Sequence, residues 1–309
     1  MAMSTNPNPL RVLLIGSTGQ VGRAWKSLLS AEELVAAPAR EELDLSQPEF
    51  VAARVQEMIE SCQPTLIVNA AAYTAVDQAE QEQTLAFDIN ARAPGALAKA
   101  AANLDVPLIH YSTDYVFDGQ GQRPYVETDP VAPLSVYGHS KLAGEQAVQA
   151  AGGAHLIFRT SWVFSAHGQN FLKTMLSLAQ TRDQLRVVQD QVGAPTSAHL
   201  LAHLPLQLFQ QLKGRDDPRW GLYHLCPTGQ TSWHEYARYV IERARALGWP
   251  IRVKDDAIHG ISSDEFPVKA TRPSNSRLCT VKFEQATGIG LAHWRDGVDE
   301  VLDDLSRAA

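Results

Sequence analysis

The sequence predicts an α/β fold: a doubly wound parallel sheet with a smaller α/β C-terminal lobe. Three observations carry the prediction. Short apolar runs alternate with longer helical patterns through the first half of the chain, as in βαβ units with right-handed crossovers. The apolar runs are nearly continuous rather than alternating, as expected of strands covered on both faces. A glycine triplet joins the first run directly to the first helical pattern.

The strand candidates are Arg11–Ser17, Leu34–Ala39, Thr65–Ala70, Pro107–Thr113, His155–Thr160 and Leu185–Gln189. Between them lie helical patterns near 20–30, 48–62, 84–103, 137–150 and 169–181. Pro48 suits a first helical turn, where its missing N–H is not needed. Beyond residue 190 prolines at 195, 218, 227, 250, 267 and 273 break the pattern into shorter pieces, with one strong helix near 231–247. At roughly 150 residues per domain, 309 residues suggest two lobes. The expected division is a frayed lead-in over 1–9, a dinucleotide-binding domain over 10–165, and a mainly substrate-binding lobe over 166–309. Within that last stretch, 222–225 is expected to return to the sheet.

Composition narrows the classes. With 27 basic against 34 acidic residues, a net charge of −7 offers no broad attraction to nucleic acid or an anionic membrane. The three cysteines, 62, 226 and 279, form neither a disulfide framework nor a zinc-ligand spacing. No secretory signal pattern opens the chain and no apolar run approaches a bilayer span, so a cytoplasmic setting is expected. His199 and His203 have helical spacing but no third ligand beside them, so no metal site is assigned.

The glycine loop is the first chemical signal. Gly16-Ser17-Thr18-Gly19-Gln20-Val21-Gly22 follows the first strand and opens the first helix. The first glycine permits the tight turn, the second lets backbone approach a pyrophosphate, and the third brings helix against sheet. A dinucleotide's phosphates would then face unpaired N–H groups at the helix N-terminus. This is the Rossmann-like context that a glycine triplet needs. The second strand ends at Ala39-Arg40 with no acid for a ribose 2′-hydroxyl, and Arg40 suits a 2′-phosphate, which favours NADPH over NADH. An ordinary surface arginine is the alternative. Asp44 is placed to accept from an adenine amine.

Tyr137 and Lys141 stand four residues apart on one helix face. A free tyrosine titrates near 10, too high for ready proton exchange at neutral pH. A fixed ammonium nearby, with the positive charge of an oxidised nicotinamide, would lower that value toward the working range. Upstream, Ser112-Thr113 ends the fourth strand at the sheet's carboxyl edge, where α/β ligands bind. Either hydroxyl could hold a carbonyl oxygen against Tyr137, although local turn bonding is the simpler role for such a pair.

Glycine loop, strand-end Ser-Thr and YxxxK, in this order and spacing, resemble the extended short-chain dehydrogenase/reductase superfamily. Longer strings narrow the resemblance: NAAAYTAVD (69–77), HYSTDYVFDG (110–119), PYVETDPVAPLSVYGHSKLAGE (124–145), IFRTSWVF (157–164), DQVGAPTS (190–197) and RPSNSRL (272–278). Together, from residue 10 onward, they are similar to the dTDP-4-dehydrorhamnose reductase family. That resemblance implies reduction of the C4 keto group of dTDP-4-dehydro-L-rhamnose with NADPH or NADH, giving dTDP-L-rhamnose. It implies Tyr137 as proton donor, Lys141 as holder of the nicotinamide ribose and support for Tyr137, and Thr113 as the residue that orients the carbonyl. The cofactor would meet Gly16, Ser17, Thr18, Gly19, Gln20, Val21 and Gly22, then Arg40, Asp44 and Leu45, then Ala71, Ala72, Thr74 and Tyr111. The sugar nucleotide would meet Thr113, Asp114 and Trp162. Read from the residues themselves, Arg272 and Arg277, with the intervening Ser-Asn-Ser, could clamp its diphosphate, a purely structural loop being the alternative.

Related 4,6-dehydratases carry a glutamate after the Thr-Asp pair. Tyr115 stands there instead, so reduction without elimination is expected. The resemblance also raises a homodimer bridged by Mg²⁺ through carboxylates, but the first helix reads Arg23-Ala24-Trp25-Lys26, with no acid. Other readings are a catalytically idle NADP(H)-binding regulator and a reductase of a different 4-keto nucleotide sugar. The intact trio of Thr113, Tyr137 and Lys141 argues against the first.

Overall fold

The computed structural model describes residues 9–266 and 268–308. The expected lead-in therefore lies almost wholly outside the described residues. Six strands form one all-parallel sheet. In chain order the first five are β1 (Val12–Ile15), β2 (Leu34–Ala36), β3 (Leu66–Asn69), β4 (Leu108–Thr113) and β5 (His155–Thr160). In space the order is Gly221–His224, β5, β4, β3, β1, β2. The segment expected to return to the sheet is that edge strand, with Gly221 opposite Leu156 and His224 opposite Arg159.

Strand composition explains the layering. β1 and β3 are buried at every residue, so each face must be covered. On one face, Val12, Leu14, Leu66 and Val68 pack with Trp25 of α1 (Gln20–Leu28) and with the Ala198–Gln211 helix. On the other, Leu13, Ile15 and Ile67 pack with Val51, Val55 and Ile59 of α2 (Pro48–Cys62) and with Leu97. Pro48 opens α2 at its first position, as read from the sequence.

Two stretches depart from the local reading. The helix expected over 84–103 is broken into Gln83–Phe87, a π-turn at Asp88–Arg92, and Ala93–Asn103. The strand expected at 185–189 forms over Leu185–Val188 but pairs in parallel with Ile258–Ile261, outside the main sheet. Around that small sheet, the helices Phe171–Thr181 and Trp233–Ala246 build a second apolar core from Met175, Ala179, Leu185, Val187, Ala237 and Ile241.

Register sets the site. Ile15 pairs with Asn69, Asn69 with His110, and Thr113 with Thr160, so the strands end along one edge. The Val136–Ala150 helix runs against this edge, N-capped by Ser135, whose side chain accepts from Gly138 N. Glu80 adds a second acceptor, 2.9 Å from Val136 N. A buried ion pair ties the helix to β5: Arg159 Nε and Nη2 donate to Glu145 at 2.8 and 2.7 Å, both residues almost fully enclosed. Removing one member strands a buried charge, at a cost of about 3–5 kcal/mol, whereas replacing both with apolar side chains of similar volume is often neutral. We therefore expect Arg159→Met to lower the unfolding midpoint sharply, and Arg159→Met with Glu145→Leu to recover most of the loss, as read by thermal and urea denaturation.

Candidate active site

A cleft of about 680 Å³ opens along the carboxyl edge of the sheet. One end is the glycine loop. Gly16 adopts a φ of +80°, and a Cβ there would lie 2.6 Å from the backbone nitrogen of Ala71. A Cβ on Gly22 would lie 2.0 Å from the Gly16 carbonyl oxygen. These two glycines let the turn close against β3 and α1. Gly19, by contrast, would meet nothing nearer than 3.5 Å and borders the cleft, leaving room for a phosphate group over the start of α1. The cradle fits a dinucleotide.

Further along, Ala71, Ala72 and Thr74 line the wall, followed by Tyr111, Thr113, Asp114, Tyr137, Lys141 and Trp162. Lys141 is buried, and its Nζ donates to the Tyr111 carbonyl at 2.6 Å. Burial pulls its pKa down to about 8, with the Glu145 carboxylate opposing the shift. Tyr137 moves the other way. Burial pushes its phenol up to about 12, the Thr113 hydroxyl beside it opposes the shift, and Asp114 adds to it. Among the chain's own groups, loss of solvent is the dominant influence on this phenol.

Thr113 Oγ1 donates to Asp114 Oδ1 at 3.0 Å and accepts from Tyr115 N at 3.2 Å. Burial raises the Asp114 carboxyl to about 6, against the hydroxyls of Ser276 and Thr113. Tyr115 meets the Tyr137 ring edge-on at 5.5 Å. Its own phenol is driven well above the ordinary range, chiefly by burial, so it supplies no carboxyl-like acid. Trp162 adopts the left-handed region at φ +50° and stacks on Trp233 with centroids 3.7 Å apart. Backbone strain of this kind, of order 1–3 kcal/mol, gathers at ligand sites.

Several expected contacts are placed elsewhere. Gly22 is spent on packing, and Ser17 does not line the cleft. Arg40 is exposed and lies 3.7 Å from Asp44, away from the cleft lining. Asp44 accepts from the Ser46 amide and hydroxyl, and Leu45 is a core residue. Tyr111 presents its backbone to the site. Its hydroxyl accepts from Trp25 Nε1 at 2.7 Å and donates to the Leu201 carbonyl. Arg272 pairs with Asp77 at 2.7 Å, beside Tyr115, and lines an adjoining apolar hollow rather than the cleft.

Local patterns gave no sign of Asn90, on the π-turn. Its amide accepts from Tyr73 N at 2.8 Å and donates to Tyr73 O and to Ser140 Oγ, both at 3.0 Å. Ser140 Oγ donates in turn to Tyr137 O at 2.8 Å. The wall at 71–74 and the helix carrying Tyr137 are thus pinned to one side chain. A π-turn inside a helical stretch was the available signal, since such bulges gather at functional sites, but no sequence pattern marks it.

A family model described as RmlD substrate binding domain matches residues 10–307. The chain belongs to this family. Among its relatives, the dTDP-4-dehydrorhamnose reductase of Escherichia coli K12 is 45% identical over 96% of this chain and 98% of its own length. The enzyme of that name from Burkholderia thailandensis is 41% identical, over 96% and 99%. A dTDP-4-dehydrorhamnose reductase from Bacillus anthracis, solved in complex with NADP, superposes with a TM-score of 0.86 at 32% identity, over 96% of this chain and all of that one. A UDP-glucose 4-epimerase from Thermus thermophilus, at 19% identity and a TM-score of 0.74, shares the fold.

The first turn of α1 holds no acid, and among the described residues no three His, Cys, Asp or Glu side chains gather to hold an ion.

Asp114 supplies a test of the site's electrostatics. Its folded pKa, about 6, lies above the ordinary 3.8, so the folded chain binds the proton more tightly and loses stability as pH rises between those values. At about 1.4 kcal/mol per unit, the loss is roughly 3 kcal/mol above pH 6. We expect Asp114→Asn to melt above the parent chain at pH 8, with the gap closing by pH 4, as followed by thermal denaturation across pH.

Proposed function

We propose that this protein reduces the C4 keto group of dTDP-4-dehydro-L-rhamnose to dTDP-L-rhamnose with a reduced nicotinamide cofactor. The convergence of Thr113, Tyr137 and Lys141 in the cleft that begins at the glycine loop carries the reading. Near full-length relatives named for that reaction support it. The bound cofactor supplies the hydride.

The chain's own residues do the rest. Tyr137 holds its proton firmly, because burial keeps the phenol neutral across the physiological range. It releases that proton only to something more basic, such as the alkoxide forming at C4. Thr113, the hydrogen-bonding neighbour of Tyr137, offers its hydroxyl to the same oxygen. Lys141, held by the Tyr111 carbonyl, places a positive charge one helical turn from Tyr137, where it favours the phenolate left after donation. Its ammonium would also bind the cofactor's ribose hydroxyls. The Trp162–Trp233 stack offers an aromatic wall for a pyranose or a thymine. With Tyr115 in place of an acid, no group follows the Thr-Asp pair to move protons at C5 and C6.

The finer points follow the same reading. Arg40, exposed beyond the end of β2, is free to turn toward a 2′-phosphate and favours NADPH. The three free cysteines support a cytoplasmic setting. No helix among the described residues is long and apolar enough to cross a membrane. The division into a dinucleotide-binding part over 10–165 and a mainly substrate-binding part beyond it rests on the glycine loop and on the second apolar core.

A coupled assay with the 4-keto-L-sugar nucleotide, run with NADPH and NADH in parallel, tests the function. Turnover is expected with both cofactors and faster with NADPH. Tyr137→Phe should lower kcat about 10²–10⁴-fold, the range for loss of a general acid, while NADPH still quenches protein fluorescence at near-parental concentrations. Full activity in that variant would remove Tyr137 from its role.

A further inference from the structure

Gln20 is the first residue of α1 and stands inside the glycine loop. Its amide oxygen does not face the cleft unpartnered. It accepts from Asn170 Nδ2 at 2.9 Å and from Ser165 Oγ at 3.2 Å, two residues about 150 positions further along the chain. They belong to the segment 165–170, which joins the short strand Val163–Phe164 to the helix Phe171–Thr181.

That segment is a braced strap. Ser165 Oγ accepts from His167 N, and its single proton is shared between His167 O, the nearer acceptor at 2.8 Å, and the Gln20 oxygen. Asn170 Nδ2 also donates to Ser165 O, while its Oδ1 caps the following helix at Lys173 N. Lys173 Nζ closes on Ala166 O at 3.1 Å. Both ends are anchored: Phe164 is buried, and the Phe171 ring packs 4.5 Å from Trp233. Between these anchors, Gly168, Gln169 and Asn170 line the cleft together with Gly16, Thr18, Gly19, Gln20 and Val21. Gly168 presses on the stem of Gln20, where an added Cβ would lie 3.3 Å from Cγ. Among the described residues, the side-chain hydrogen bonds between strap and glycine loop are the two on the Gln20 oxygen.

A carboxamide oxygen beside a diphosphate would repel it. The Asn170 amide N–H occupies this one, with the Ser165 hydroxyl sharing its proton between it and His167 O, and these contacts set how close the strap lies to the phosphate cradle. We propose that Gln20 is a latch: a positioning residue that fastens the 165–170 segment over the diphosphate of a bound dinucleotide and thereby sets how long the cofactor stays. The inference rests on the nicotinamide-reductase reading and adds the element that governs cofactor release.

Release is measured by stopped-flow fluorescence of bound NADPH chased with excess NADP⁺, on the full chain. Gln20→Ala removes the acceptor. Asn170→Ser removes the amide donor but keeps a helix-capping oxygen. Each is expected to speed release about tenfold, and the double variant no more than about tenfold, because the two changes open one latch. In parallel, NADPH should slow amide hydrogen exchange over 165–170 in the parent chain and not in Gln20→Ala. Unchanged release in either single variant, or about a hundredfold in the double, would overturn the latch, the latter by showing independent contacts. Equal protection of 165–170 in parent and Gln20→Ala would overturn it too. Failure of the parent chain to bind NADPH or NADH would instead sink the reductase reading itself, so the two failures are told apart.

Discussion

The site depends on a charge kept where water is scarce. Lys141 is almost fully enclosed, and its ammonium meets the Tyr111 carbonyl, on the strand that ends at Thr113. An ammonium without water must find fixed acceptors or lose its proton. Here one carbonyl and the nearby Glu145 carboxylate meet that need in part, and the pKa settles near 8. The bond also fixes geometry. It binds the helix at Lys141 to β4 at Tyr111, so that Tyr137 and Thr113 fall on one side of the cleft. Asn90, through Ser140, and Arg159, through Glu145, hold the same helix from two further directions.

Two opposite pKa shifts then follow from one cause. Burial penalises whichever form is charged, so the lysine falls and the tyrosine rises. For a reduction this arrangement is apt. The phenol stays protonated until a stronger base forms beside it, and the ammonium stabilises what remains. Asp114, raised toward 6 in the same pocket, shows what enclosing a carboxylate costs in stability. The apolar surroundings that tune the site thus also tax the fold, a trade common where function sets the local environment.

Much of this was legible in the sequence because its signals are local. Near-continuous apolar runs marked the sheet strands, Pro48 marked the start of α2, and the spacing of Tyr137 and Lys141 placed them on one helix face. The glycine triplet showed its purpose from its position between strand and helix. What escaped depends on partners far along the chain. Leu185–Val188 reads as another strand of the main sheet until Ile258–Ile261 claims it. Arg272 reads as a diphosphate clamp, and the pairing of its Nη2 with Asp77, 195 positions away, is not visible in any local pattern. Leu45 reads as a cofactor contact, and the burial of its side chain in the core beneath α2 rests on partners that no local pattern shows. The π-turn at 88–92 carries no composition cue, so Asn90 could not be singled out. The spacing of Tyr137 and Lys141 shows the nearby charge but not the depth of burial that raises the phenol.

The most direct measurement is the titration of Lys141 itself, followed by NMR of a ¹³C-labelled ε-carbon in the cofactor-free chain and assigned with Lys141→Arg. The burial account predicts a midpoint near 8. A midpoint near the ordinary value, about 10.4, would show a solvated ammonium and contradict the enclosed site that holds Tyr137 and Thr113 together.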